Sequence, residues 1–208
     1  MHQHNMTRAD LRKQIRARRK QLSDAFQQDA SARLIRQLCH LPELETSHHV
    51  AVYLSTDGEL STRELIEWLW QLGKSTYLPV IHPFSTGQLL FLRYTPDTAM
   101  VQNRYGIAEP QLNKQLILPT RQLDLIFTPL VGFDASGHRL GMGGGYYDRT
   151  LVPWFKNRSG AKPIGLAHTC QFVEQLPIES WDVPLPKIVT PDKIWDWESN
   201  RLSQGQMM

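Results

Sequence analysis

The chain has 208 residues with a formal net charge of +3; 41% of them are hydrophobic and 21% charged. This balance excludes a disordered tail and a membrane bundle, and a chain of this length buries roughly 70% of its unfolded surface without needing a disulfide or a structural metal. The longest apolar run, around Leu125 to Phe133, is broken by Thr128 and Pro129 and falls short of the roughly 18 residues that span a bilayer. Basic and polar residues dominate the start, so no signal segment is read there. Cys39 and Cys170 are too few for a disulfide scaffold and suit a reducing compartment. The expectation is a cytoplasmic monomer with one domain over 1–200 and a frayed tail over 201–208.

In chain order, residues 8–21 read as an amphipathic helix, with Leu11, Ile15 and Leu22 at helical spacing and Thr7 as its N-cap. Between Arg8 and Lys20 seven basic residues stand against one acid, Asp10. Ser23 and Asp24 cap a second helix that runs to about Cys39. Residues 50–54 form a buried-strand run, and a helix capped by Ser61 continues to Leu72, where Gly73 ends it. Residues 77–81 and 89–94 read as strands joined by a turn at Ser85, Thr86 and Gly87. Another strand spans 123–128. A long glycine-rich loop follows, then a helix from Tyr146 and strands at 164–167 and 188–190. Alternating strands and helices predict an α/β fold with parallel strands.

The loop from Arg139 to Arg149 is the strongest local signal. Its glycines let backbone amides approach an anion, the following helix adds the positive end of its dipole, and Arg139 and Arg149 add charge. It matches neither a Walker A loop nor a dinucleotide fingerprint, and a flexible surface loop is the competing reading. Asp148 stands where that helix begins. A carboxylate beside a phosphate needs a cation between them, and Mg2+ uses one or two carboxylates plus phosphate oxygens, with Asp182 as a second acid. Arg8, Arg12 and Arg16 share a helix face and suit a triphosphate, a nonspecific RNA contact or plain solvation. Glu59 follows a strand end, where ligands bind in α/β folds, and it suits a substrate with N–H donors. Tyr53, Phe84, Tyr105 and Tyr146 could stack on a flat heterocycle. The eight histidines show no metal spacing, and no thiol nucleophile is read.

The stretch PLVGFDASGHRLGMGGGYYDR over 129–149 resembles the signature of the 5-formyltetrahydrofolate cyclo-ligases. The resemblance extends through KQLS at 20–23, DGELST at 57–62, YGIAEP at 105–110, residues 171–177 and WDVPLP at 181–186. It implies a three-layer α/β sandwich with a mainly parallel sheet, similar to the sugar-phosphate isomerase and CoA-transferase-like folds. It also implies conversion of 5-formyltetrahydrofolate to 5,10-methenyltetrahydrofolate, with ATP as co-substrate, Mg2+ as cofactor and no covalent enzyme nucleophile.

Residue by residue, it implies ATP contacts from Arg8, Arg12, Arg139, Leu140, Gly141, Met142, Gly143, Gly144, Gly145, Tyr146 and Tyr147. Folate contacts would come from Leu54, Glu59, Tyr105 and Tyr146, and metal contacts from Asp148 and Asp182. Arg8 and Gly144 stand where many members carry Lys, and Met142 where some carry Arg. Two other readings compete: a nucleic-acid-binding module built on the basic helix, and a sugar-phosphate isomerase-like enzyme. The near balance of charge outside that helix argues for small-molecule substrates and against nucleic acid.

Overall fold

The computed structural model describes residues 6–198; the expected tail and the histidines at positions 2 and 4 lie outside them. Helix α1 (Arg8–Lys20) starts at Thr7, which forms a reciprocal capping box with Asp10, and α2 (Asp24–Leu38) is capped by Ser23. A short α3 (Pro42–Thr46), absent from the sequence reading, leads into β1 (His49–Ala51), shorter than the run at 50–54 suggested. The chain returns through α4 (Arg63–Gln71), whose N-cap is Thr62 rather than Ser61. The Thr62 hydroxyl turns away from the helix and donates to the Tyr53 carbonyl.

Strands β2 (Ser75–Ile81) and β3 (Leu89–Tyr94) form the expected hairpin. Beyond it come a small hairpin, β4 (Met100–Gln102) and β5 (Ala108–Pro110), and β6 (Ile117–Leu118). Next are β7 (Leu125–Pro129), a tight pair β8 (Gly132–Phe133) and β9 (Arg139–Leu140), and α5 (Tyr146–Asn157). The final strands are β10 (Lys162–Leu166), β11 (Lys187–Val189) and β12 (Ile194–Asp196).

Among the described residues eight strands make the main sheet, in the order β12-β11-β10-β7-β1-β2-β3-β6. The inner five are parallel and the outer strands antiparallel. Alternation along the strands divides the core. Val50, Leu125 and Phe127 face α2, α3 and α4, whereas Ala51, Ile126 and Ile188 face the α5 side with Leu151. The result is a three-layer sandwich. Phe127 is fully buried at its centre. Truncating it to Ala should remove about 3–5 kcal/mol of stability, read as a lower urea midpoint at unchanged slope.

The topology places the site. From β1 the chain steps to β2 on one side, then crosses back to β7, β10 and β11 on the other. The direction reverses between β1 and β7, and a doubly wound sheet leaves a crevice at the carboxyl ends of such neighbours. β1 leads out into the segment that holds Glu59, and β7 into the β8–β9 pair and the glycine loop. Helix α1 packs close to this crevice because Gly132 has no side chain: a Cβ there would lie 2.6 Å from the Ile15 side chain.

Candidate functional site

The glycine loop connects β9 to α5. Gly143 and Gly145 have φ of 102° and 65°, a region that disfavours side chains. Gly145 is also the N-cap of α5 and supplies no side-chain cap, so the first amides of that helix are not consumed by one. Arg12 anchors the loop from α1, donating Nε to the Gly141 carbonyl at 2.7 Å. Arg149, read as a source of phosphate charge, is spent differently. Its Nε donates to Gly87 O at 2.7 Å and its Nη2 to Gly144 O at 2.5 Å, stapling the β2–β3 turn to the loop. A Cβ on Gly144 would lie 2.8 Å from the Tyr146 ring, which explains how this chain combines a glycine there with a ring folded over it. Leu140 is a core side chain, packed with Leu11 and Leu176, whereas Met142 is exposed.

Two arginine–aspartate pairs flank the loop. Arg139, whose side chain is 2% exposed, donates Nη2 to Asp148 Oδ1 at 2.5 Å. Burial pulls the Arg139 guanidinium below its ordinary pKa, Asp148 and Asp182 oppose that pull, and its Nε is buried with no partner. Arg8 at the start of α1 grips both oxygens of Asp182 and also donates to Pro177 O at 3.0 Å. Burial works against ionisation of Asp182, but the Arg8 bonds outweigh it and hold the carboxyl below the usual range. The helix face read as suiting a triphosphate, RNA or plain solvation makes contacts within the chain: Arg8 meets Asp182, Arg12 meets Gly141 and the partly exposed Arg16 meets Asp57.

Across the crevice stands the turn after β1. Asp57 and Gly58 have φ of 53° and 73°, a tight reversal in which Glu59 N–H donates to Thr56 O. The Glu59 carboxylate, 10% exposed, accepts from Thr56 N–H at 3.0 Å. Burial raises its pKa, and the Thr56 bond and the nearby Arg19 only partly offset that. Burial drives the Tyr147 phenol upward in pKa; the charge of Glu59 adds to that and the charge of Arg139 opposes it. An open cleft of about 410 Å³ borders the turn, lined in part by Arg19, Gln27, Thr56 and Glu59. Leu54 packs half-buried against the core beside it.

Asp57 also makes stability depend on pH. Burial opposes its ionisation, but bonds from Arg16 and Lys20 and the charge of Arg19 pull its pKa from 3.8 to about 2. A depressed folded pKa stabilises above the unfolded value and is lost as pH falls through the folded one. Between pH ~4 and ~2 the protein should therefore lose about 2 kcal/mol through this group. Stability of Asp57→Asn followed by urea across that window should fall less steeply; an identical slope would refute the assignment.

The β4–β5 hairpin completes the rim. At its tip the Tyr105 hydroxyl lies 3.2 Å from that of Tyr146, and Arg104 Nη2 donates to Tyr146 at 2.5 Å. The Tyr105 bond, then those of Arg104, pulls the Tyr146 phenol below its ordinary pKa. Tyr105 and Tyr146, each singled out separately in the sequence, are thus brought together. Arg104 and Arg19 were not singled out, and no motif spacing marks either.

Among the described residues no cluster of three or more His, Cys, Asp or Glu side chains could hold a metal. Asp148 and Asp182 therefore fit only an ion that takes few protein ligands and completes its shell with phosphate oxygens and water, which is how Mg2+ binds. Asp148 is the more available, because among the described residues only its Oδ1 is bonded, whereas Arg8 occupies both oxygens of Asp182.

A doubly wound sheet with a glycine loop, an uncapped helix start and paired arginines at its switch point is an α/β architecture suited to an anionic ligand. The model of the 5-formyltetrahydrofolate cyclo-ligase family matches residues 4–191. The chain is 51% identical to the 5-formyltetrahydrofolate cyclo-ligase of Escherichia coli (strain K12) over 183 residues, 88% of this chain and 100% of that one. It is 52% identical to that of Haemophilus influenzae over 178 residues, 86% and 94% of the two chains. Among solved structures, the 5,10-methenyltetrahydrofolate synthetase of Aquifex aeolicus superposes with a TM-score of 0.78 at 30% identity, covering 93% of this chain and 94% of that one. That of Mycoplasma pneumoniae gives 0.70 at 25% identity, covering 89% and 99%. The chain belongs to the 5-formyltetrahydrofolate cyclo-ligase family. It is an enzyme of that kind, a ligase of folate metabolism.

Proposed function

We propose that the chain closes 5-formyltetrahydrofolate to 5,10-methenyltetrahydrofolate, using ATP and Mg2+ and releasing ADP and phosphate. The observation that carries this reading is that the Glu59 turn and the segment leading to the glycine loop leave the neighbouring parallel strands β1 and β7 at the reversal of the sheet, where Arg19 bonds the Asp57 and Leu130 carbonyls together. The triphosphate lies along the loop amides and the start of α5, with Arg8 and Arg12 from α1 and Arg139 from β9 countering its charge. Folate lies on the Glu59 side, where the Glu59 carboxyl group accepts from pterin N–H groups and Tyr105 and Tyr146 cover the ring system. Leu54 lines the same side.

The chemistry needs alignment rather than an enzyme nucleophile. The formyl oxygen attacks the γ-phosphorus and ADP leaves, so an amide-like oxygen becomes a phosphate ester and a good leaving group. The folate N-10 then attacks the activated carbon, its proton departs and phosphate is expelled, leaving the cyclic methenyl cation. The protein supplies proximity, charge compensation and exclusion of water. Asp148, with Asp182 once Arg8 turns to phosphate, would hold Mg2+, which supplies neutralisation of the phosphate oxygens.

The test is a spectrophotometric assay of purified protein with 5-formyltetrahydrofolate. Methenyl product should appear only when ATP and Mg2+ are both present, and chelation should stop it. Product without ATP would overturn the phosphorylation step.

A further inference from the structure

We propose that Arg19 is a positioning residue of this reaction: from the end of α1 it locks the Asp57–Glu59 turn and holds the Glu59 carboxylate ready for the substrate. The proposal rests on the reading of Glu59 as a folate contact.

The Arg19 side chain is fully buried, and its donors divide between the Asp57 turn and Leu130. Nε reaches the Asp57 carbonyl at 3.0 Å, Nη2 the Asp57 carboxylate at 3.1 Å and Nη1 the Leu130 carbonyl at 3.5 Å. Nη1 also lies 3.8 Å from Glu59 Oε1. One guanidinium thus ties the segment after β1 to the segment after β7, the two walls of the switch-point crevice.

The turn is held from other directions as well. Arg16 and Lys20 pair with the Asp57 carboxylate at 2.5 and 2.7 Å, and Gln27 of α2 donates to Gly58 O at 3.2 Å. Buried His168 in turn lies 2.9 Å from the Gln27 amide oxygen. A Cβ on Gly58 would sit 3.2 Å from the Arg19 carbonyl, so the turn lies directly on the helix end.

This much fixing has a purpose beyond cohesion. Asp57 is a non-glycine residue in the left-handed region, a strain that persists only where the surroundings over-determine it, and such positions cluster at functional sites. A fully buried cation is also a poor way to gain stability, since an apolar side chain of similar size would serve at least as well. What an apolar side chain cannot do is set the direction of the turn backbone and the charge of Glu59 together.

The groups facing Glu59 are Arg19 and Arg16 from α1, Asp57 on its own turn, Tyr53 at the end of β1 and Tyr147 of α5. Burial and Asp57 favour the neutral acid, whereas Arg19, Arg16 and the Thr56 amide favour the carboxylate. Of the two cations, only Arg19 is fully enclosed with it.

The experiment measures KM for 5-formyltetrahydrofolate and for ATP, kcat, and the pH profile in the full chain. Arg19→Gln should raise the folate KM about tenfold and leave the ATP KM within about twofold, the size expected for one charge-assisted contact. The acid limb of kcat/KM for folate should move to higher pH, because Glu59 loses its enclosed cation. Arg19→Lys should restore the acid limb but only part of the KM, since it keeps the charge without the fork. In a Glu59→Gln background, Arg19→Gln should add less than about twofold, the mark of two residues acting as one.

An unmoved folate KM and acid limb in folded Arg19→Gln would overturn the proposal, as would losses that multiply in the double variant. Should Arg19→Gln fail to fold, Asp57→Asn decides in its place: it breaks the clamp from the turn side, and the folate KM must rise while that for ATP stays. If Glu59→Gln alone leaves folate use intact, the substrate assignment itself fails and takes the clamp with it. If Glu59→Gln is impaired and the clamp variants are not, only the clamp falls.

Discussion

Asp148→Asn is expected to lose about two orders of magnitude in turnover and most of its dependence on Mg2+. Asparagine keeps the shape and one oxygen acceptor but not the charge. Two effects follow from the geometry. The Arg139 guanidinium, 2% exposed and 2.5 Å from Asp148, is left as a buried cation without its counter-ion. Breaking such a pair outright costs about 3–5 kcal/mol, and the retained amide oxygen should hold the loss to the lower part of that range. Separately, a metal ion at the glycine loop loses its more available carboxylate, and removal of one preorganised charge contact typically costs 10²–10³ in rate. The two effects are separable. Thermal unfolding reports the Arg139 pair, and a Mg2+ titration of turnover reports the metal. A variant that is less stable but has an unchanged Mg2+ response would show that Asp148 serves only Arg139.

Glu59→Gln is the second large effect. Its carboxylate is 10% exposed and already bonded to the Thr56 amide, so it faces the cleft with little water to replace a substrate N–H. A hydrogen bond to a charged group is worth about 1.5–3 kcal/mol, which converts to roughly 10- to 100-fold in kcat/KM for 5-formyltetrahydrofolate. ATP affinity, measured by a separate titration, should change by less than about twofold, because the Glu59 turn and the glycine loop stand on opposite walls of the crevice. Equal losses of both would contradict that division.

Much of this enzyme is legible in its linear order. Leu11 and Ile15 at helical spacing behind Thr7, and Ser23 before Asp24, place α1 and α2 almost to the residue, because capping and amphipathicity are local. The short strands β8, β9 and β12 and the β4–β5 hairpin are not legible. Their two or three residues each carry too little alternation to read, and each pairs with its neighbour in the chain across a connection without a two-residue hairpin signal. The Ser61 cap fails for a similar reason: the helix begins one residue later, where the Thr62 hydroxyl serves the Tyr53 carbonyl instead.

The site divides in the same way. The amino-acid sequence by itself determines which chemistry is available: a glycine loop able to approach phosphate, an acid at the helix start, and a charged first helix. It also determines the family, through several separated motifs in order. Only the tertiary structure decides where that charge points. Seven basic residues of α1 look alike in sequence, yet Arg8 goes to Asp182, Arg12 to Gly141 and Arg19 into full burial against Asp57 and Leu130. Arg149 likewise reaches two backbone carbonyls, those of Gly87 and Gly144. The reason is physical. A guanidinium's role is set by the acceptors that surround it, and here those acceptors come from strand ends brought together by the reversal of the sheet between β1 and β7.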